Sequence, residues 1–394
     1  EIRRARLYAG AIRRIAWPAG GHLLTLGEDG RLESGRTSVR LWETKTFTEK
    51  AAFLLEVRNL DRIDWVLDPS TGSLVTVERT AKLHHIPIDL EASRIESRGA
   101  EQGWSARFLS DTLLVARREY DLRLYDVSDP RTPAMLPHPL PDGYVMTASH
   151  PSGLLALGRR ITGPPYGVKL HRFEGQRLAD PLEIPLPGWT MNLGFDRGGG
   201  RLLAVVRYGL GLFVIETATG KQILNCGGNF TDAVFAGAAE DIAAIQSKRS
   251  AEDMETELSL RDAVSGELKK SVVLPSLLND IAASPDGSLV AVGGTDRVVR
   301  LFDAATLEER HAFRAHDDEI TALVFHPSLP VVASASNDGS IKLWDYQTAR
   351  PRRTFLGFDG TTVMLDFSPN GRLLVAESQD QATRIFDLGE RFGR

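Results

Sequence analysis

Three residue types that can carry out nucleophilic catalysis occur together near the C-terminal end of the chain. The segment HDDEITALVFHPSLPVVASASNDGSIKLWD contains His316, Ser334 and Asp338, and Trp344 stands next to its last residue. Serine, histidine and aspartate form the catalytic triad of many hydrolases, in which the serine is accessible and lies beside the histidine. The same side chains can also satisfy one another inside packed sheets. The choice between these roles depends on whether the rest of the chain repeats the pattern.

The last residues of this segment, SIKLWD, recur in related forms along the whole chain. Similar strand ends stand at Leu41, Leu83, Leu124, Leu170, Val214, Leu260, Leu301, Leu343 and Ile385. Their spacing is about 43 residues, which is typical of a repeated supersecondary unit. Each unit contains short apolar runs rich in β-branched residues, separated by turn sequences such as SPDG and SPNG. The pattern therefore predicts nine units of four strands each.

A unit of this length that ends in Trp-Asp resembles the WD40 repeat. The resemblance is closest in the eighth unit, where four residues match the family pattern: His316 before the first strand, Ser334 in the second, Asp338 in the following turn and Trp344 in the third. In that family these side chains form a hydrogen-bonded chain inside the blade. The resemblance thus implies a structural role for all four, and no catalytic residue is expected.

The repeats predict an all-β chain whose residues 1–394 form a single closed β-propeller. Nine blades are favoured, with eight as the alternative. The ninth unit has no fourth strand after the one that contains Ile385, whereas the run RRARLYA precedes the first complete unit. Residues 1–11 are therefore expected to supply the outermost strand of the last blade, so that no sheet edge remains open.

Composition excludes several classes of partner. The net charge of −5 lacks the basic excess of a nucleic-acid binder, and no apolar run approaches the length of a membrane span. Cys226 is the only cysteine, which favours a reducing, cytoplasmic compartment. The chain starts without a methionine or an apolar signal core, so we expect it to be a segment of a longer polypeptide.

No motif indicates a cofactor or a metal. The sequence contains no phosphate-binding loop, no HExxH, no GxSxG and no EF-hand loop. His84 and His85 are adjacent on a predicted strand, so their side chains point to opposite faces and share no metal site. Neither a metal site nor a cofactor is therefore expected.

The long connections indicate a binding side. They are EDGRLESGRTS, RRITGPPYG and SKRSAEDMETE, and each joins the second strand of a unit to the third. These turns and the links between blades open on one side, here called the top face. Insertions on one side of a repeat array usually mark the binding side, although loops also tolerate neutral insertions.

Five aromatic residues are expected on the same face. They are Trp104, Tyr166, Trp189, Tyr208 and Phe358. Exposed aromatic side chains often anchor protein interfaces, which makes these residues candidates for contact with a partner. The alternative is that each one covers the core of a blade.

The function predicted from these features is a noncatalytic scaffold, a monomeric ring that binds a protein or peptide through the top face and the mouth of the channel. An alternative is a sensory or targeting propeller within a larger bacterial signalling protein, such as a kinase or an ATPase. A third is an enzyme whose site lies in the central channel, which would require acidic or histidine side chains to converge there. Neither nucleic acid nor membrane is expected as a partner.

Overall fold

The computed structural model describes the backbone of eight strands before residue 97, and from residue 106 onward it describes most of the chain. The ranges after residue 105 are 106–118, 121–130, 133–140, 144–159, 166–174, 177–207, 209–249, 254–356, 361–378 and 382–389. All the regular elements in these ranges are β-strands.

The N-terminal strands form two sheets and one separate strand. The four-stranded sheet contains β1 (Ile12–Ala16), β2 (His22–Glu28), β3 (Thr37–Glu43) and β4 (Thr48–Leu55). The three-stranded sheet contains β5 (Ile63–Asp68), β6 (Ser73–Glu78) and β7 (Leu83–Pro87). The separate strand, β8 (Ser93–Glu96), pairs with a strand at the other end of the chain.

The remaining strands form seven antiparallel sheets, which we call blades 1 to 7. Blade 1 contains β9 (Arg107–Phe108), β10 (Leu113–Arg118), β11 (Asp121–Asp126) and β12 (Ala134–Pro139). Blade 2 contains β13 (Tyr144–His150), β14 (Leu154–Arg159), β15 (Gly167–Glu174), β16 (Arg177–Leu178) and β17 (Leu182–Pro185). Blade 3 contains β18 (Thr190–Phe195), β19 (Arg201–Val206), β20 (Gly211–Glu216) and β21 (Gln222–Cys226). Blade 4 contains β22 (Phe230–Ala236), β23 (Asp241–Arg249), β24 (Met254–Arg261) and β25 (Leu268–Leu274).

The last three blades follow the same plan. Blade 5 contains β26 (Leu278–Ala283), β27 (Leu289–Gly294), β28 (Val298–Asp303) and β29 (Glu309–Arg314). Blade 6 contains β30 (Ile320–Phe325), β31 (Val331–Ser336), β32 (Ser340–Asp345) and β33 (Arg350–Leu356). Blade 7 contains β34 (Thr362–Phe367), β35 (Leu373–Ser378) and β36 (Ala382–Asp387), together with β8 as its outermost strand.

Position within a blade explains the composition of each strand. The second strand of blade 6, β31, has the sequence VVASAS and is buried at every residue, because neighbouring blades cover both of its faces. The fourth strand of blade 5, β29, has the sequence ERHAFR and is exposed at every residue except Phe313. Apolar, β-branched and small residues therefore fill the middle of the sheets, while charged residues occupy the perimeter.

The seven blades close into one ring. The first strand of each blade contacts the first strand of the next, and β34 of blade 7 returns to β9 of blade 1. Seven buried apolar clusters occupy the seven interfaces between neighbouring blades. The cluster that closes the ring combines Phe108 and Leu114 of blade 1 with Leu373 and Val375 of blade 7.

The predictions of nine blades and of eight blades are therefore wrong. The first two repeats do form sheets, but the third and ninth repeats pack against each other and close the ring without them. A sequence period reports the unit that folds locally, whereas the number of blades depends on which units bury their apolar faces against one another.

The predicted closing strand is also wrong. Four residue pairs join β36 to β8, from Ala382↔Glu96 to Ile385↔Ser93. The outermost strand of the last blade thus comes from the segment after the second repeat, which explains why the sheet β5–β7 has three strands. Residues 1–11, to which the sequence assigned this role, lie outside the described residues.

Gly371 is a position where a side chain should be costly. Its φ is +73°, and a Cβ atom there would lie 2.2 Å from a ring carbon of His326 in the neighbouring blade. We expect Gly371→Ala to lower the free energy of unfolding by about 1 to 3 kcal/mol, because both the backbone and the imidazole would be strained. Chemical denaturation checks this value, with Gly198→Ala as a control, since a Cβ atom at Gly198 would meet nothing within 4 Å. Equal effects of the two substitutions would contradict the expectation.

Candidate functional site

In blade 6 the four residues singled out by the sequence form one hydrogen-bonded chain. His316 Nε2 lies 2.7 Å from Ser334 Oγ, and Trp344 Nε1 donates to the same hydroxyl oxygen at 2.9 Å. His316 Nδ1 lies 2.9 Å from a carboxylate oxygen of Asp338. These contacts join the link before β30 to β31, to the turn after it and to β32.

Each hydrogen bond in this chain has a defined donor and acceptor. A carboxylate accepts, so Nδ1 of His316 carries a proton and donates a hydrogen bond to Asp338, while Nε2 accepts a hydrogen bond from the hydroxyl of Ser334. Burial lowers the pKa of His316, although the Asp338 carboxylate opposes the shift, and the imidazole is neutral at neutral pH. Burial also disfavours the charge on Asp338, but hydrogen bonds from His316 and Ser340 outweigh it and hold the pKa of that carboxyl well below its ordinary value.

The position of Ser334 argues against nucleophilic catalysis. Its side chain is 0% exposed and His316 is 1% exposed, so a substrate has no path to the hydroxyl in this structure. The Ser334 oxygen also accepts a hydrogen bond from an indole, whereas a nucleophile must face its substrate. The arrangement can hold the strands of one blade together, and it offers no reactive group at a surface.

On the top face, two of the predicted aromatic residues lie at the boundary of blades 2 and 3. Tyr166 precedes β15, and its carbonyl oxygen accepts from the backbone N–H of Leu186 at 3.3 Å in the link between the blades. Trp189 follows in the same link, and its ring lies 5.7 Å below the guanidinium carbon of Arg207. Tyr166 and Trp189 are partly exposed and Arg207 is exposed. Aromatic side chains and arginine are enriched at protein interfaces.

The other three predicted contact residues, Trp104, Tyr208 and Phe358, lie outside the described residues. The long connections of the first and fourth repeats also fall largely there. The connection of the sixth repeat is mostly strand, because β23 and β24 stay paired as far as Arg249↔Met254. β23 and β24 have nine and eight residues, whereas β27 and β28 of blade 5 have six each. The hairpin of blade 4 therefore projects further at the top face than the hairpin of blade 5.

On the opposite side of the ring, here called the bottom face, polar groups form hydrogen bonds between neighbouring blades. His150 Nε2 lies 3.0 Å from the carbonyl oxygen of Arg197 in the next blade. The Arg197 guanidinium in turn donates to the carbonyl oxygens of Gly237 at 2.6 Å and Asp286 at 2.9 Å. One arginine thus connects the turns of blades 3, 4 and 5, and these groups are already satisfied within the ring.

Three carboxyl groups on the innermost strands were missed by the sequence reasoning. They belong to Asp232 on β22, Asp280 on β26 and Asp366 on β34. Asp366 accepts from the backbone N–H of Phe108 at 2.8 Å across the closure of the ring, and burial raises its pKa to about 6 although Arg107 opposes the shift. A signal was present in the aligned repeats, since FTDAVF and LNDIAA carry aspartate where the eighth repeat has alanine.

No site for a metal emerges from the part of the chain that the structure describes. Within it, no group of three or more His, Cys, Asp or Glu side chains is arranged to hold an ion. His84 and His85 belong to β7, whose side chains lie outside that part. The described residues also contain no helix long and apolar enough to cross a membrane.

Comparison with known proteins agrees with this architecture. The family model "WD domain, G-beta repeat" matches residues 270–303 and 307–345, which belong to blades 4, 5 and 6. None of the curated proteins that were compared matches the chain. Among solved structures, the WD40 β-propeller domain of Doa1 is similar in fold, with a TM-score of 0.57, 15% identity, and coverage of 75% of this chain and 94% of that chain.

The second matched repeat, residues 307–345, contains all four residues of the hydrogen-bonded chain, His316, Ser334, Asp338 and Trp344. Residues 270–303 and 307–345 are therefore WD40 repeats, and the chain shares its fold with the WD40 repeat β-propeller family.

Proposed function

We propose that this propeller is a noncatalytic scaffold that binds a protein or peptide partner through its top face, around Tyr166, Trp189 and Arg207. Propellers of this family are usually noncatalytic and generally bind proteins. The observation that supports the top face is the contrast between its two sides. Aromatic and arginine side chains are partly or largely exposed to solvent at the boundary of blades 2 and 3, whereas polar groups in the bottom-face turns of blades 2 to 5 form hydrogen bonds with neighbouring blades.

The chemistry of this cluster suits a partner surface with apolar and acidic groups. The indole of Trp189 supplies a rigid contact area, and the guanidinium of Arg207 above it can pair with a carboxylate or a backbone carbonyl. The single cysteine supports a reducing, cytoplasmic location as part of this proposal. The channel mouth is included because the links between blades lead to the innermost strands.

We expect the double variant Trp189→Ala, Tyr166→Ala to weaken partner binding by about 30-fold, since loss of interface anchors costs roughly 2 kcal/mol or more. The partner is first captured from lysate with wild-type protein and identified by mass spectrometry, and its Kd is then measured with purified components. Val264→Ala is the control, because Val264 is 66% exposed in the turn between β24 and β25 on the bottom face. If Val264→Ala weakened binding as strongly as the double variant, the proposed binding site on the top face would be wrong.

A further inference from the structure

Two carboxyl side chains meet at the interface of blades 4 and 5. Asp232 and Asp280 occupy the same position in their strands, two residues after the first residue of β22 and of β26. A register shift precedes each one, between Phe230 and Asp232 and between Leu278 and Asp280, so both side chains follow a bulge. Asp232 is 8% exposed, and its carboxyl group is hydrogen-bonded to that of Asp280.

The other partners of this pair are all donors. Asp232 accepts from the side-chain amide of Asn192 on β18 of blade 3, and from the backbone N–H of Ala233 at 2.7 Å. Asp280 accepts from the backbone N–H of Leu323 on β30 of blade 6. The pair thus lies in the middle of a polar chain that connects the innermost strands of four blades in succession, from blade 3 to blade 6.

Within the pair, by contrast, two acceptors face each other. Two carboxylates cannot form a hydrogen bond, so one proton must lie between them. Burial and the charge of Asp232 together raise the pKa of Asp280 well above its ordinary value. Burial also raises the pKa of Asp232, against the hydrogen bonds from Asn192 and Asp280 and the charge of Arg107. The carboxyl group of Asp280 is therefore protonated and donates a hydrogen bond to the carboxylate of Asp232.

We propose that the Asp232–Asp280 pair is a proton-dependent latch between blades 4 and 5, which holds the inner layer of the ring closed when protonated and loosens it when the shared proton is lost. Loss of the proton leaves two like charges at hydrogen-bond distance in a poorly solvated place. The two innermost strands can then lower the repulsion by separating and admitting water. The latch acts on the ring itself and is independent of the partner-binding face.

Few other charges act on this pair among the described residues. Arg107 on β9 is the cation that influences Asp232, and it also acts on Asp366 of β34. Of the strands packed around the pair, β18, β27 and β30 contain no titratable side chain. β19 contains Arg201, whose guanidinium pairs with the carboxylates of Asp196 and Glu240. On β23, the carboxylate of Asp241 forms an ion pair with Lys269, with 2.7 Å between Lys269 Nζ and the nearer carboxylate oxygen. The response to pH at this interface should therefore come from the two carboxyl groups.

The direction of the pH dependence follows from the raised pKa values. A carboxyl group whose pKa is higher in the folded state binds its proton more tightly there, so the fold is favoured at low pH. This stabilisation is lost as the pH rises from the ordinary aspartate range, near 4, through the raised value. His316 and His326 act in the opposite sense, because burial lowers their pKa values and their contribution is lost as the pH falls from the ordinary value, about 6.5, through the lowered values. Wild type must therefore be compared with variants of the pair at each pH.

The test is the melting temperature of the full chain between pH 5 and pH 8.5 for wild type and Asp280→Asn. The asparagine amide can donate to Asp232 while its oxygen accepts from Leu323, so the variant imitates the protonated pair. We expect equal melting temperatures near pH 5 and an advantage for Asp280→Asn of about 5 °C near pH 8.5. Asp180→Asn, an exposed site, is the control and should follow wild type at every pH.

A local measurement distinguishes the latch from a general effect on stability. Hydrogen exchange of the amides of Ala233 and Leu323, corrected for the intrinsic pH dependence, should be about tenfold faster in wild type than in Asp280→Asn at pH 8.5. At pH 5 the two proteins should exchange alike. A wild type and variant whose melting temperatures and amide exchange differ by the same amount at all pH values would overturn the proposal. If Asp280→Asn proves unstable, Asp232→Asn replaces it as the test variant. Asp232→Asn also removes the like-charge pair, so its melting temperature should likewise change less with pH than that of wild type.

Discussion

A chain that begins just after Glu96 is expected to melt roughly 5 to 10 °C below one that begins just before Ser93. The physical reason is that β8 supplies the outermost strand of blade 7 and pairs with β36 at four positions. Its removal breaks these backbone hydrogen bonds, at about 1 kcal/mol each, and exposes the edge of β36 to solvent and to other chains. Circular dichroism gives the melting temperatures, and light scattering reports aggregation.

Two further proteins serve as references: the chain of residues 1–394, and a variant of it in which a Gly-Ser segment of equal length replaces the β8 residues. The replacement should resemble the shorter chain, because it keeps the chain length but removes the strand side chains and their β-propensity. Closure through Ser93–Glu96 would be contradicted if the two truncated chains melted together. Closure by residues 1–11 would instead make both truncations equally damaging.

In blade 6, Asp338→Ala and His316→Ala are each expected to lower the free energy of unfolding by about 1 to 3 kcal/mol. Asp338→Ala leaves the N–H of His316 without its acceptor, and it also removes the acceptor of the backbone N–H groups of Asp317 and Ser340, at 3.1 Å and 2.9 Å. His316→Ala opens a cavity and removes the partner of Ser334. Urea denaturation of both variants provides the values.

The double variant is the decisive measurement for this network. Because His316 and Asp338 bond to each other, the double variant should cost less than the sum of the single variants. Asp262→Ala is the control, since Asp262 lies at the bottom end of blade 4 and accepts from the backbone N–H groups of Val264 at 3.0 Å and Ser265 at 2.8 Å. It should add independently to His316→Ala. Strict additivity of His316→Ala and Asp338→Ala would show that the two side chains are not coupled in solution.

The repeats made the strands and their turns predictable. Sequences such as VVASAS and SIKLWD form β31 and β32, because alternating or continuous apolar runs between Pro-Gly turns have few other ways to bury their side chains. The resemblance of the eighth repeat also named His316, Ser334, Asp338 and Trp344, which share one hydrogen-bonded chain in the structure. Each of these features depends on residues within a single repeat.

The candidate binding site was predictable to a smaller extent. Placing Trp189 in a link between blades followed from the repeat, but its position under Arg207 requires the geometry of the neighbouring turn. The pairing of Asp232 with Asp280 was hidden because the two residues belong to different repeats, and either aspartate alone is compatible with an exposed strand. Contact between them depends on how far one blade is rotated against the next.

The sequence by itself determined the repeated unit, its strands, its turns and the polar residues inside a blade. The tertiary structure alone decided that seven units close the ring, that β8 completes the last one, and which carboxyl groups meet across an interface. The physical reason is the separation of the contacting residues along the chain. A repeat is specified by hydrogen bonds and burial within about 43 residues, whereas the ring closes through contacts such as the Ala106 N–H with the Glu377 carboxylate, 271 positions apart. No local pattern records which distant faces fit together.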